Sequence, residues 1–235
     1  MFDYGTHRDF GSGDRICYHG VMDSFRNPKT AAALYLSQQD EEPVLEIGSS
    51  MDIGDYPGGQ IGRSWVFTNC DEVRLYMNGK LRGVYDEHPF KGLIHSPVPV
   101  DDPIDHSWGG KAAVWRFDGI RNGETVISRT LGGPADLKIE AVPSSSELCE
   151  KDTWDMAAVR IRITDGDGNV YPYAQLPISL KLEGEAELIG PDILTAEGGM
   201  TGTYIRTLGR AGKAELLISS PGLESVRLTF DISIK

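Results

Sequence analysis

Along most of the chain, apolar and polar residues alternate with a period of two, which predicts half-buried β-strands. Val73, Leu75 and Met77 alternate with polar or amphipathic neighbours, and Asn78-Gly79 follows directly. Asn-Gly between two alternating runs is the strongest short signal for a β-hairpin. Ala113, Trp115 and Phe117 form another such face, which predicts that Trp115 lies in a core.

The same alternation continues beyond Gly132-Gly133-Pro134, which predicts a domain boundary there. Val159, Ile161 and Ile163 face one way, and the chain closes with a last alternating run from Val226 to Ile232. Strand-length runs at this spacing are typical of an immunoglobulin-like sandwich. We therefore expect a mainly β protein with two immunoglobulin-like β-sandwiches, at residues 43–134 and 135–235.

Residues 1–42 hold the one segment with a helical pattern. Asn27 is a good N-cap, Pro28 suits the first helical position, and the Ala- and Leu-rich run from Lys29 to Gln39 follows. Acidic residues before Pro43 predict a short hinge after the helix. A segment this short cannot bury a core of its own, so we expect it to dock on the first sandwich or on another copy of the chain.

Composition narrows the possible partners. The 235 residues carry 35 acidic and 23 basic side chains, a formal charge of −12, and the basic ones are scattered rather than clustered. We therefore expect no nucleic-acid partner, because binding nucleic-acid phosphates needs a basic patch. A membrane is also excluded as a partner, since no apolar run approaches the roughly 20 residues that span a bilayer.

Cysteine content and the N-terminus bear on the compartment. Cys17, Cys70 and Cys149 are widely spaced and odd in number, which favours buried free thiols over a disulfide framework. The first residues lack the basic and apolar regions of a signal peptide. Both features favour a cytoplasmic protein.

Two groups of residues could suggest a metal site, and neither has the required spacing. Asp165, Asp167 and Asn169 resemble the start of a calcium loop, but the expected Gly and Glu are missing, so we predict a β-turn. His88, His95 and His106 share an Asp-rich loop without ligand spacing. We expect no metal and no cofactor.

An aromatic side chain in a loop could stack on a sugar ring. Trp108 lies beside Gly109-Gly110 in the long loop from Asp86 to Gly110, and it is the least core-like of the four tryptophans. It is the basis of an alternative function, a non-catalytic carbohydrate-binding module.

The order of several short motifs resembles glycoside hydrolase family 2, the β-galactosidase and β-glucuronidase family. The motifs in residues 1–42 are Met1-Phe2-Asp3-Tyr4-Gly5, Asp9-Phe10-Gly11, Asp14-Arg15-Ile16-Cys17-Tyr18-His19-Gly20-Val21-Met22-Asp23 and Arg26-Asn27-Pro28-Lys29. Those in the sandwiches are Thr68-Asn69-Cys70-Asp71-Glu72-Val73-Arg74-Leu75-Tyr76-Met77-Asn78-Gly79-Lys80, Asp152-Thr153-Trp154-Asp155 and Glu187-Leu188-Ile189-Gly190-Pro191-Asp192. The resemblance implies that residues 1–42 are the C-terminal remnant of a (β/α)8 catalytic barrel.

The resemblance also implies a function. The chain would be the C-terminal accessory region of a retaining β-glycosidase whose two catalytic glutamates lie on earlier barrel strands, outside this chain. The isolated chain would then be inactive, and its partners would be a carbohydrate substrate and another copy of itself. Asp3 and His19 are the positions expected to contact substrate, with His19 standing where many members have Asn.

Overall fold

The computed structural model describes residues 2–5, 16–51, 62–101, 113–132 and 135–235. These residues form one helix, α1 (Thr30–Leu36), and eighteen strands, so the predicted mainly β fold is confirmed. The strands before residue 134 are β1 (Tyr4–Gly5), β2 (Ile16–Cys17), β3 (Leu45–Ile47), β4 (Ser64–Thr68), β5 (Glu72–Met77), β6 (Lys80–Tyr85), β7 (Val98–Val100), β8 (Trp115–Arg121) and β9 (Glu124–Leu131).

The strands after residue 134 are β10 (Lys138–Pro143), β11 (Glu147–Glu150), β12 (Met156–Thr164), β13 (Leu176–Gly184), β14 (Ala186–Ile189), β15 (Ile193–Ala196), β16 (Met200–Thr207), β17 (Gly212–Ser219) and β18 (Val226–Ile234).

Internal contacts divide the chain into two compact units. Unit 1 combines Met1–Asn27 with Ala135–Lys235, and unit 2 is Pro28–Pro134. The contacts thus group the N-terminal residues through Asn27 with the last sandwich, whereas the sequence pattern placed a boundary after residue 42.

The described strands of unit 2 form two antiparallel sheets, with strand orders β3-β4-β7 and β6-β5-β8-β9. The predicted inward faces are confirmed, since Leu75 and Phe117 are fully buried and Trp115 is 1 % exposed. Asn78-Gly79 and Asn122-Gly123 connect the paired strands, and all four residues have positive φ, as tight hairpin turns require. The core of unit 2 consists of Leu45, Met51, Val66, Val73, Leu75, Val98, Val100, Trp115, Phe117 and Leu131.

The sandwich of unit 1 pairs a four-stranded sheet, β10-β12-β16-β14, with a five-stranded sheet, β11-β18-β17-β13-β15. All pairings are antiparallel except that of β11 with β18. Val159, Ile161 and Ile163 are fully buried, as their alternation predicted. They pack in one cluster with residues of the opposite sheet such as Ile178, Leu216 and Phe230.

Helix α1 is shorter than predicted, and its N-cap was predicted wrongly. It begins at Thr30, and Lys29 holds the N-cap position without a side-chain cap. Asn27 is instead fully buried, with its amide bonded elsewhere. Ala32 and Ala33 are the buried residues of the helix. Among the described residues, no helix is long and apolar enough to cross a membrane.

The segment after the helix is fastened to unit 2, so the expected hinge before Pro43 is not found. The Asn69 side-chain amide donates to the carbonyls of Gln39, at 2.6 Å, and Glu42, at 2.8 Å, and its oxygen accepts from the Val44 N–H at 2.8 Å. Gln38 exchanges two hydrogen bonds with the His95 backbone. Residues 38–44 therefore follow a fixed path.

Candidate functional site

A short β-ladder in unit 1 forms the frame of the candidate site. Tyr4 pairs with Cys17 across β1 and β2, and Phe2 bridges to Met22. The Asp3 N–H donates to the Met22 carbonyl at 2.9 Å. Asp3 is thereby held beside the segment that follows β2.

The Asp3 carboxylate binds the backbone of that segment. Asp3 is 6 % exposed, and its Oδ1 accepts a hydrogen bond from the Gly20 N–H at 2.9 Å. A Cβ at position 20 would lie 2.3 Å from the Phe2 carbonyl carbon, so this approach requires glycine. One carboxylate oxygen of Asp3 thus fixes the loop that carries His19.

His19 directly precedes Gly20, and its side chain is exposed. A carboxylate accepts hydrogen bonds and an imidazole can donate or accept one, so the pair suits recognition of hydroxyl groups. The structure brings the elements that carry Asp3 and His19 to the same place. Their role in binding substrate stays a prediction.

Arg26 adds a positive charge that the sequence reasoning missed. Its guanidinium lies 3.3 Å from the centroid of the Phe2 ring, in cation–π geometry. Arg26 has a φ of 73°, which is uncommon for a residue with a side chain. Arg26 is part of the motif Arg26-Asn27-Pro28-Lys29. Its contact with the Phe2 ring could not be predicted from sequence, because the two residues lie far apart along the chain.

Tyr4 and Cys17 interact beside the ladder. The hydrogen bond between their side chains, together with the charge interaction between them, raises the pKa of the Tyr4 hydroxyl. Tyr4 is 60 % exposed.

The turn after the ladder is closed by Asp23. Its Oδ1 accepts from the N–H groups of Phe25 and Asn27, both at 2.8 Å. Its Oδ2 accepts from the Asn27 side-chain amide at 2.8 Å. Three bonds to one carboxylate give the turn a single conformation.

This turn lies against β16 of the terminal sandwich. The Asn27 side-chain amide donates to the Thr201 carbonyl at 3.0 Å, and the Tyr204 hydroxyl donates to the Ser24 carbonyl at 2.5 Å. The rings of Phe25 and Tyr204 lie 6.0 Å apart. Phe25 thus packs within unit 1. Residues 1–42 were expected to dock as one segment on the first sandwich or on another copy of the chain, and this part of the segment packs on the terminal sandwich instead.

The histidines His88 and His95, which the structure describes, do not join this group. Trp108 and His106 lie outside the described residues. His95 contacts Asp40 at 2.7 Å, whereas the His88 ring lies near the carbonyls of Ser96 and Asp71. In the part of the chain that the structure describes, no three His, Cys, Asp or Glu side chains are grouped as metal ligands.

The predicted turn at Asp165 is confirmed. Asp165 Oδ1 accepts from the N–H groups of Asp167, at 3.0 Å, and Asn169, at 2.9 Å. The three cysteines are free thiols, of which Cys70 is buried while Cys17 and Cys149 are half-buried. The expected burial of all three is therefore only partly met.

Comparison with known proteins identifies the family. The sequence model described as glycoside hydrolase family 2 C-terminal domain 5 matches residues 139–229. A β-galactosidase of Thermoanaerobacterium thermosulfurigenes is 36 % identical over 209 residues, which are 84 % of this chain and 29 % of that protein. A β-galactosidase of Rhizobium radiobacter is 31 % identical over 132 residues, covering 54 % of this chain and 91 % of that relative.

A solved structure supports the fold. The crystal structure of a β-glycosidase from Bacteroides vulgatus superposes with a TM-score of 0.75 at 20 % identity, covering 98 % of this chain and 30 % of that one. This chain thus spans less than a third of the length of the Thermoanaerobacterium and Bacteroides proteins. With the matched domain and the identity to both β-galactosidases, the chain belongs to glycoside hydrolase family 2.

Proposed function

We propose that this chain is the C-terminal accessory region of a family 2 retaining β-glycosidase of the β-galactosidase type, acting in carbohydrate breakdown. The observation that carries the proposal is the 36 % identity to a β-galactosidase over 84 % of this chain. Because the chain spans only 29 % of that relative, the chemistry belongs to a longer protein. A retaining enzyme needs two carboxylates about 5 Å apart, and the proposal places both outside this chain.

The proposal also gives a finer reading of the fold. Residues 1–42 are the remnant of a (β/α)8 barrel, and residues 43–134 and 135–235 are immunoglobulin-like sandwiches. Two features support this: a strand, a loop and a helix follow one another in the first segment, and each later region contains two sheets around one core. The compact units divide the chain after Asn27. In this proposal they therefore split the barrel remnant, residues 1–42, between the two sandwiches.

In this proposal Asp3 and His19 contact the sugar at the non-reducing end of the substrate. The support is that the Asp3 carboxylate lies directly beside the loop of His19, since its Oδ1 accepts from the Gly20 N–H. His19 is exposed, and its imidazole can exchange a hydrogen bond with a sugar hydroxyl. Trp108 is a further candidate for stacking on a sugar. The region needs no cofactor, and its partners are carbohydrate and a second copy of the chain.

The test compares this chain with the longer protein encoded by the same reading frame. Both are incubated with chromogenic β-galactosides, β-glucuronides and β-mannosides, after purification from a host that lacks these enzymes. We expect turnover of a β-galactoside by the longer protein and none by the isolated chain. Substituting either of the two upstream glutamates should abolish turnover.

Two results would contradict the proposal. One is turnover by the isolated chain above a buffer blank, and the other is a longer protein that hydrolyses none of the three classes. Calorimetry of the isolated chain against plant and mucin glycans adds a separate measurement. Saturable binding that is lost in Trp108→Ala would instead favour a carbohydrate-binding module.

A further inference from the structure

We propose that Gly202 and Tyr204, on β16 of the terminal domain, are positioning residues for the candidate sugar-contact site. They hold the turn from Asp23 to Asn27, and this turn holds both Asp3 and the loop that carries His19. The inference rests on the proposed function, because it assigns the terminal domain a part in binding the sugar.

The first step is the fit of Phe25 on Gly202. A Cβ at position 202 would lie 2.4 Å from the Cβ of Phe25 and 2.7 Å from the Val159 carbonyl oxygen. Real Cβ atoms do not approach other atoms this closely. Glycine at 202 therefore leaves the space that Phe25 occupies, and any other residue would displace the turn or the strand.

The second step is the polar attachment on either side of Phe25. Tyr204 donates to the Ser24 carbonyl, and Asn27 donates to the Thr201 carbonyl. Asn27 is fully buried, so its bond is shielded from water. Two hydrogen bonds and one close packing contact within four residues fix the turn on the strand.

The third step connects the turn to the candidate site. Met22, immediately before Asp23, accepts the hydrogen bond from the Asp3 N–H. Asp3 in turn accepts from the Gly20 N–H, and His19 precedes Gly20. Each link is a direct bond or a neighbouring residue, so a shift of the turn moves Asp3 and His19.

The attachment lies on the face of β16 that points away from the sandwich core. Thr203 and Ile205 are buried on the inner face, and Ile205 belongs to the core cluster, whereas Tyr204 alternates with them and is only partly buried. Removing the Tyr204 hydroxyl therefore leaves the core packing intact. Positioning can be separated experimentally from folding.

The first experiment uses the 235-residue chain. Amide hydrogen exchange at Asp3 and Gly20 is measured by NMR in the wild type, Tyr204→Phe and Gly202→Ala, with Tyr173→Phe as the matched control in the same unit. We expect exchange at both amides to become about tenfold faster in Tyr204→Phe, the effect of losing one hydrogen bond. Gly202→Ala should have a larger effect, and amides of β17 should not change in Tyr204→Phe.

The second experiment uses the longer enzyme. We expect Tyr204→Phe to raise KM for an aryl β-galactoside about threefold to tenfold and to leave kcat and the thermal midpoint unchanged, because uniform sugar binding is weakened. Tyr173→Phe should leave all three unchanged. A longer protein without any activity would refute the proposed function. Amide hydrogen exchange in the 235-residue chain would then still test whether Gly202 and Tyr204 position Asp3 and His19.

Three outcomes would overturn the inference. Exchange at Asp3 and Gly20 could be unchanged in both variants. Exchange could rise throughout unit 1 in Tyr204→Phe, which would show a purely structural role. An active enzyme could also keep its KM in Tyr204→Phe, which would show that the attachment does not reach the sugar.

Discussion

Two glycines distinguish the cost of backbone strain from the cost of a steric clash. Gly184 has a φ of +104°, and a Cβ there would lie 2.2 Å from the Lys213 carbonyl oxygen. Gly222 has a similar φ of +81°, but a Cβ there would meet nothing within 4 Å. Backbone strain acts at both positions, whereas the clash acts only at Gly184.

We predict that Gly222→Ala lowers the free energy of unfolding by about 1 kcal/mol, the cost of the left-handed backbone conformation. Gly184→Ala should cost about 2 kcal/mol more, because the new methyl group also displaces β17. Urea unfolding of both variants measures the difference. Equal costs would show that β17 yields to the methyl group without resistance.

A charged residue also gives a prediction at this scale. Arg63 donates two hydrogen bonds to the Asp101 carboxylate, at 2.6 and 2.7 Å. This pairing lowers the pKa of Asp101 below its usual value and raises the pKa of Arg63. The pKa of Asp101 is therefore lower in the folded than in the unfolded protein. The pairing stabilises the folded protein at pH values above the unfolded-state pKa of Asp101, and this stabilisation is lost as the pH falls through its folded-state pKa.

A pH titration followed by NMR of the Asp101 carboxyl carbon tests this pairing. We expect a midpoint below that of an unperturbed Asp, and Arg63→Gln should raise it toward that of an unperturbed Asp. Arg63→Lys should return it only in part, because a lysine cannot form the two-pronged contact. A midpoint that is the same in all three proteins would mean that solvent screens the pair completely.

At the scale of elements, neighbouring strands offer a matched pair of leucines. Leu75 on β5 is fully buried, whereas Leu81 on β6 is 53 % exposed. We predict that Leu75→Ala lowers the free energy of unfolding by about 2–5 kcal/mol, since it leaves a cavity beneath the sheet. Leu81→Ala should cost less than about 1 kcal/mol. Chemical denaturation measures both, and similar costs would contradict the assigned inward face of β5.

The strands could be predicted from sequence because their signal is local. A period of two marks one buried face, and Asn78-Gly79 marks a turn, so β5 and β6 needed no long-range information. The start of helix α1 was predicted wrongly for the opposite reason. The side chain of Asn27, a good local N-cap, binds the Thr201 carbonyl 174 residues away.

In the candidate site, too, some features have a local sequence signal and others depend on long-range contacts. Asp3 and His19 stand in neighbouring motifs, so the sequence could indicate them together. The attachment of their turn to Gly202 and Tyr204 joins segments about 180 residues apart, and glycines and tyrosines in strands carry no signal of such a contact. Sequence could therefore suggest the groups that we propose to contact the sugar, but not the groups that hold them.

At the scale of the whole molecule, the division after Asn27 can be tested by truncation. We predict that a chain of residues 28–235 keeps the thermal midpoint of unit 2. A chain of residues 43–235 should lose about 10 °C, because it removes the buried residues Ala32 and Ala33 and two carbonyls that Asn69 binds. Calorimetry of both chains makes the comparison.

The same two truncated chains also give an expectation for the thermal midpoint of unit 1. Both truncated chains lack the turn on β16 but keep the core of the terminal sandwich, which consists of residues from 139 onward. The midpoint of unit 1 should therefore be the same in the two chains. Equal midpoints for unit 2 as well would show that the helix contributes nothing to it.

The hydrogen bonds of Asn69 constrain how this protein can evolve. Its three bonds all reach main-chain atoms, those of Gln39, Glu42 and Val44, so they do not depend on which side chains stand there. These three bonds therefore tolerate substitutions at Gln39, Glu42 and Val44. Other contacts in the stretch do depend on side chains, since Gln39 binds the Glu42 backbone and Asp40 contacts His95. Inserting or deleting one residue would move the carbonyls out of register, so the bonds of Asn69 constrain the length of this stretch more tightly than its composition.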